Sequence, residues 1–343
     1  MTWLRRLKTA LQTPIWTLQL ASGTKSFIDN PIIGSRRLNA LGLHQSRVRI
    51  AERMCRWRRK RLAAKVPHEW RDAFERDGFV VIENAVPSED FEGLRDAILS
   101  QEWPAREMRQ GDAITRRIAI DGEMLAEIPE LKRFLGRSDI NALFHYVASY
   151  RTTPLHYVQT IVSSCGGEAP DPQETLHADT FHASMKSWLF LKPVTEADGP
   201  FTYVPGSHRF SEARLKWEYE RSLVDPRSID RLSARGSPRV DENALIAMDL
   251  GAAEKISVPA NTLVVADTSG FHARGSAQCK GERVELWSYA RRNPFLPWLG
   301  GDLLSLPGIA ERRVGWLWSL RDRLERQMGQ PWQSVGRRRA IDD

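Results

Sequence analysis

Three residues far apart in the chain have the types of a metal site. His177-Ala178-Asp179 supplies an imidazole and a carboxylate two positions apart, and His272 supplies a second imidazole 95 residues later. Two neutral imidazoles and one carboxylate on a single face of an ion form the facial triad of non-haem Fe(II) chemistry. That arrangement leaves three positions open for a bidentate cosubstrate and O2. Side chains two apart on a strand point the same way, so His177 and Asp179 can grip one ion from adjacent directions. Each residue alone is a weak signal. A lone histidine in a β-rich chain is usually structural, and His145, His156, His182 and His208 are read so. Arg283, eleven residues after His272, would by itself be a surface ion-pair partner. The joint pattern carries the reading.

Such a site needs a scaffold that brings distant segments to one open end. From Leu155 onward the period becomes that of short β-branched or aromatic strands between turns, expected at 155–162, 187–191, 201–204, 262–266 and 284–290. Before them the chain reads mainly as helix. Helices are expected at 68–76, from a capping Ser88 onward, around 124–135 and from a capping Asp139 to about 149, with a buried strand over 78–87. Further helices are expected at 211–219 and 307–328. The fold class that follows is α+β: a double-stranded β-helix, a cupin-like jelly roll, wrapped by helices.

Four stretches then resemble the phytanoyl-CoA dioxygenase family of Fe(II)- and 2-oxoglutarate-dependent oxygenases. They are the opening Asp77-Gly-Phe-Val-Val-Ile-Glu-Asn-Ala-Val-Pro-Ser-Glu-Asp90, the His177-Ala-Asp179 pair, Asp198-Gly-Pro-Phe-Thr-Tyr-Val-Pro-Gly-Ser-His-Arg209, and Phe271-His272 with Arg283 at the family's spacing. The resemblance covers about residues 67–295. It implies that His177, Asp179 and His272 hold Fe(II), and that Arg283 binds the distal carboxylate of 2-oxoglutarate, a task suited to a guanidinium fork. It further implies that Gln159, and more weakly Ser163, hydrogen-bond the cosubstrate, and that Trp188 walls the pocket. O2 is then the second cosubstrate, ascorbate a possible reductant, and succinate and CO2 the coproducts of hydroxylating a C–H bond. One position departs from the pattern. Arg274 stands where many relatives carry a small hydroxyl residue, and it could face an anionic substrate instead. The intact Asp179 argues against the related halogenases, which need that ligand position free.

Charge divides the chain unevenly. Residues 1–66 hold fifteen Lys or Arg against Asp29 and Glu52, so the overall +7 splits into +13 there and −6 in the remainder. The organisation expected is a basic, partly amphipathic helical extension over 1–66, a jelly-roll dioxygenase domain over 67–300, and an amphipathic helix with a basic Arg337-Arg-Arg339 tail over 301–343. Trp3, Leu4, Leu7, Leu11, Ile15 and Leu18 sit at helical spacing opposite basic residues, the pattern of an interfacial helix. The basic run 48–62 is expected to be solvated or lipid-facing. No recognised nucleic-acid fold accompanies it, which disfavours DNA or RNA as the partner. Cys55, Cys165 and Cys279 form no disulfide or zinc spacing and fit a reducing compartment.

The expectation is therefore a cytoplasmic enzyme, peripheral on an anionic membrane through residues 1–62, that hydroxylates a small, lipid-like or lipid-linked substrate. Two alternatives make different predictions. A scaffold that has lost turnover predicts a damaged triad or a missing arginine, and neither is seen. A nucleic-acid-modifying oxygenase predicts salt-sensitive binding by the basic segment.

Overall fold

The computed structural model describes residues 12–163, 171–278 and 281–341. Among them an eight-stranded antiparallel sheet faces a three-stranded one. We number the strands β1 (Phe79–Ile82), β2 (Trp103–Gln110), β3 (Ala113–Ala119), β4 (Leu155–Ser163), β5 (Met185–Phe190), β6 (Phe201–Tyr203), β7 (Glu254–Ile256), β8 (Thr262–Asp267), β9 (His272–Arg274), β10 (Gly281–Ala290) and β11 (Gln333–Arg338). The large sheet runs β1-β8-β5-β10-β4-β3-β2-β11 and the small one β7-β6-β9. This is the double-sheet jelly roll that the strand spacing predicts.

The alternation of side chains decides what each face does. On β8, Leu263 and Val265 pack outward with Leu94, Ile98, Leu143 and Val147 of the covering helices. Val264 and Ala266 point the other way, joining Trp188, Phe190, Phe201, Tyr203 and Trp287 between the two sheets. Every residue of β8 is buried, as a central strand covered on both faces requires. The inward set of β10 is Arg283, Glu285, Trp287 and Tyr289, so the sheet interior is built to hold polar groups at one end.

Six helices matter below: α1 (Leu43–Leu62), α2 (His68–Asp77), α3 (Ser88–Ser100), α4 (Ser138–Ala148), α5 (Glu212–Ser222) and α6 (Arg313–Arg323). Several sequence expectations shift. Ser88 is the first residue inside α3, with Pro87 at the cap position and no side-chain capping bond. Asp139 lies in the first turn of α4 and pairs with Arg137 at 2.6 Å, so it stabilises the helix start from inside. The expected helix at 124–135 is two, Gly122–Glu127 and Pro129–Leu135, because Pro129 lacks the N–H that would continue the first. The strand expected over 78–87 is only Phe79–Ile82, and β2, β3, β7, β9 and β11 lie outside the strands expected from the sequence.

The largest difference concerns the basic segments. α1 buries His44, Arg47, Val48, Ala51, Cys55, Arg58, Arg59 and Leu62, a continuous helical stripe that includes three arginines. Arg58 donates to Ser149 O (2.7 Å), Pro294 O (3.0 Å) and Leu296 O (2.8 Å). Arg59 donates to Tyr146 O (3.1 Å) and Val147 O (2.7 Å) and pairs with Asp267 at 2.7 Å. Those carbonyls end α4, where a helix has unsatisfied acceptors and a negative dipole end. The run 48–62 is thus a structural clamp along one face, and only its other face meets solvent. Likewise Arg337-Arg338 is no free tail: it pairs with Pro104 and Trp103 as a charged edge strand. Residues 1–11 of the expected interfacial helix lie outside the described residues; 12–19 are helical, with Ile15 and Leu18 exposed.

Candidate metal and cosubstrate site

The 95 residues between the two histidines are closed by one antiparallel bridge. His177 N–H donates to His272 O, and His272 N–H donates to His177 O, each at 2.9 Å. Asp179 N–H is held by Thr268 O at 2.8 Å. His177 and Asp179 therefore sit on an extended segment bridged to β9 rather than on a regular strand, but they face the same ion site. One ligand atom from each of His177, Asp179 and His272 fits within a 4.8 Å cluster, the grouping that can hold a metal ion.

The motif around Pro205-Gly206-Ser207-His208 explains how His272 is placed. Ser207 Oγ accepts Phe271 N–H at 2.8 Å, and Val204 N–H donates to Phe271 O at 2.9 Å. Gly270 precedes this pair, and a Cβ there would lie 1.9 Å from Tyr203 Oη, so only glycine fits. At the other motif, Gly199 has φ +67°, and a Cβ would lie 2.4 Å from Gly275 O. Its carbonyl receives Arg283 Nη1.

Protonation states suit a cation. His177 Nδ1 is 2.8 Å from Thr175 O and His272 Nδ1 3.0 Å from Gly270 O. A carbonyl can only accept, so Nδ1 carries the proton and Nε2 presents its lone pair inward. Burial pushes His272 down to about 4 and His177 well below the usual imidazole range, so both are neutral at pH 7. Burial alone would raise Asp179, but the Lys186 ammonium beside it outweighs that and holds the carboxyl well below its ordinary range. His272 Nε2 is buried with no hydrogen-bond partner in the structure. It lies 3.8 Å from Asp179 Oδ2, and His177 Nε2 lies 3.9 Å from Oδ1. Two lone pairs aimed at one anion with nothing between are repulsive unless a cation bridges them. The donor set fits a divalent metal, although it must compete with the Lys186 ammonium, 2.7 Å from Oδ2.

Around this triad is a cavity of about 370 Å³. Trp188 lines it, as expected. Gln159, Arg283 and Arg274 line it as well, whereas Ser163, at the end of β4, does not. A ladder across three strands sets the polar wall. Arg117 of β3 is in register with Gln159 of β4, which is in register with Glu285 of β10. Arg117 Nε donates to Gln159 Oε1 (2.9 Å), Gln159 Nε2 donates to Glu285 Oε1 (2.7 Å), and Glu285 Oε2 accepts Arg283 Nε (2.9 Å). Glu285 is fully buried and fixes both expected cosubstrate residues at once. Arg274 is paired with Asp171 at 2.5 Å, so its charge is already matched inside the protein.

Lys25, Lys186, Glu285 and Asp171 are site residues that sequence reasoning misses. Lys186 and Glu285 are within reach of strand alternation, lying two positions from Trp188 and Arg283 on the same faces. Lys25 leaves no local signal. Its ammonium donates to Asp179 O, and burial lowers it to about 8, against the pull of Asp179 and with the help of Arg291, Lys186 and Arg239.

The scaffold and donor set define an Fe(II)- and 2-oxoglutarate-dependent dioxygenase. Residues 74–244 match the family model described as phytanoyl-CoA dioxygenase, and the chain belongs to that family. No curated protein matches it. Solved structures similar in outline include the epimerase SnoN from nogalamycin biosynthesis, in complex with Fe3+, alpha ketoglutarate and nogalamycin RO. It is 17% identical over 72% of this chain and 91% of that one, with a TM-score of 0.43. HygX from Streptomyces hygroscopicus with nickel and 2-oxoglutarate bound is 17% identical over 66% of this chain and 87% of that one, at 0.40. The carbocyclase SnoK from nogalamycin biosynthesis is 15% identical over 66% and 83%, at 0.38.

Proposed function

We propose that this enzyme hydroxylates a C–H bond of a small, lipid-like or lipid-linked substrate, releasing succinate and CO2, while resting on an anionic membrane surface. The observation that carries the lipid reading is an exposed apolar face beside the catalytic domain. On α6 and the segment before it, Leu303 is 73% exposed, Leu304 53%, Trp316 54%, Leu317 39% and Leu320 47%. Arg312, Arg313, Arg321 and Arg323 flank them, the mixture that suits acyl chains beneath acidic headgroups. Ile15 and Leu18 give the N-terminal helix a smaller face of the same kind. No helix among the described residues is long and apolar enough to cross a membrane.

In this reading His177, Asp179 and His272 hold the metal, and Arg283 anchors the distal carboxylate of 2-oxoglutarate through the N–H groups that Glu285 and Gly199 leave over. Gln159, which lines the same cavity, has one Nε2–H beyond its bond to Glu285 that it would offer to the cosubstrate. Bound iron with 2-oxoglutarate and O2 supplies the oxidising power. The chain's own work is to orient those ligands, to keep both imidazoles neutral, and to wall the site with Trp188, Phe201 and Trp287 so that water is excluded.

Sedimentation with anionic vesicles tests the surface. The pair Trp316→Ser and Leu320→Ser is expected to weaken binding about tenfold or more, since each removes an exposed apolar side chain that contact with the bilayer would bury. Vesicle binding that survives both changes would remove the membrane part of the proposal. Accurate-mass lipid profiling of cells with and without the gene reads the chemistry as the gain of one oxygen atom.

A further inference from the structure

The segment before α1 does more than decorate the surface. Residues 20–24 form a loop whose carbonyls are gathered by one buried side chain: Arg47 of α1 donates to Leu20 O (3.1 Å), Ser22 O (2.9 Å) and Thr24 O (2.8 Å). The loop then closes on the body. Phe27 N–H donates to Ala234 O at 2.9 Å, and a Cβ on Gly236 would lie 2.2 Å from Lys25 O. The clamp delivers Lys25 to the metal site, where its ammonium meets the backbone carbonyl of Asp179.

Charge counting shows what is missing there. The cavity is lined by Lys25, Arg117, Lys186, Arg274, Arg283 and Arg291. Arg274 and Arg283 have carboxylate partners of their own in Asp171 and Glu285. Arg117 is engaged by Gln159 and stacks over Trp287 at 4.0 Å. Lys186 leans on Asp179, the carboxylate that a metal would claim. A divalent metal, ionised Asp179 and dianionic 2-oxoglutarate together sum to a single negative charge. Lys25 and Lys186, both half-buried, and the exposed Arg291 then share one side of the site with too little negative charge to face them, which is costly for the two lysines. Lys25 and Arg291 also line the adjoining open cleft of about 710 Å³ with Ser22, His182, Arg292, which pairs with Asp302, and Arg235, which pairs with Asp29 of the same lining. Lys25 and Arg291 are thus shared by the linings of the metal-site cavity and this cleft.

We propose that Lys25, Lys186 and Arg291 form an oxyanion subsite that binds a phosphate or carboxylate group of the primary substrate and so points an adjacent carbon at the metal. The N-terminal segment is then part of the active site. This inference rests on the oxygenase reading of the same cavity and names the substrate class: an acidic molecule, with any lipid portion leaving through the cleft.

The test uses the full chain, loaded anaerobically with Fe(II) and saturated with 2-oxoglutarate so that Arg283 is occupied. Calorimetric titration with inorganic phosphate, acetate and hexyl phosphate follows. Saturable binding of phosphate or acetate is expected, weakened about tenfold or more in Lys25→Met, as loss of a charged hydrogen bond implies. Lys25→Arg should restore most of it, which a loss of folding in the methionine variant could not mimic. Hexyl phosphate binding more tightly than phosphate would assign the anion to an amphiphile, and equal binding would assign it to a small polar metabolite. No saturable anion binding, or binding within twofold in Lys25→Met, overturns the subsite. Failure of 2-oxoglutarate itself to bind in the preceding step would instead overturn the oxygenase reading, so the two failures are separable.

Discussion

Arg59→Leu is expected to cost about 3–5 kcal/mol of folding stability, read as a lowered urea midpoint with an unchanged slope. The side chain is nearly the same volume at its base, so the loss comes from charge and hydrogen bonds. Asp267 would be left fully buried, with only Ser184 N–H and Ser269 N–H, each 3.0 Å from its Oδ1, to stabilise an ionised carboxylate. Burial raises the Asp267 carboxyl, and Arg59 and the Ser269 N–H more than offset that in the intact protein. The carbonyls of Tyr146 and Val147 would lose the guanidinium as well, Tyr146 O keeping the Ser149 N–H. A total of this size is a large part of the net stability of a typical domain. The double variant Arg59→Leu with Asp267→Asn should recover part of it, because the stranded charge is gone. A loss below about 1 kcal/mol in the single variant would mean that α1 is not clamped to the body as described.

The second large effect is chemical. His272→Ala is expected to weaken Fe(II) binding by more than about a hundredfold, beyond the 10–100-fold typical of outer-shell changes. It removes one of three protein ligands and opens the bridge partner of His177 to solvent. Equilibrium dialysis of Fe(II) against the purified variant reads the change. The backbone bonds that join His272 to His177 do not involve the side chain, so the fold should persist, and circular dichroism should match the unaltered protein. Retention of iron within tenfold would exclude His272 as a ligand.

How much of the fold and the site is legible in the amino-acid sequence depends on the range of each interaction. That His177, Asp179, His272 and Arg283 meet at one cavity is legible because the joint pattern of their types and spacing, with the family resemblance, groups them from sequence alone. The central strands are legible too, since β8 and β10 carry continuous apolar or alternating runs. β2 and β11 are not: Trp103-Pro-Ala-Arg-Glu-Met-Arg-Gln110 and Gln333-Ser-Val-Gly-Arg-Arg338 are largely polar segments at one side of the sheet, β11 the edge strand and β2 its neighbour, whose pairing is decided by the strands beside them. The basic run of α1 misleads for a related reason. Composition marks arginine as a surface residue, whereas Arg47, Arg58 and Arg59 are buried against orphan carbonyls that no local pattern announces. Lys25 is the extreme case, placed beside Asp179 by a clamp that spans most of the chain.

The most direct measurement of the central claim is succinate formed from 2-oxoglutarate by the purified full chain in air, with Fe(II) and ascorbate and no added primary substrate. Slow succinate formation is expected, matched by 2-oxoglutarate consumed and abolished when Fe(II) is omitted or His272 is replaced by alanine. Full occupancy by Fe(II) and 2-oxoglutarate with no succinate, both alone and with acidic substrates of the proposed class, would contradict it.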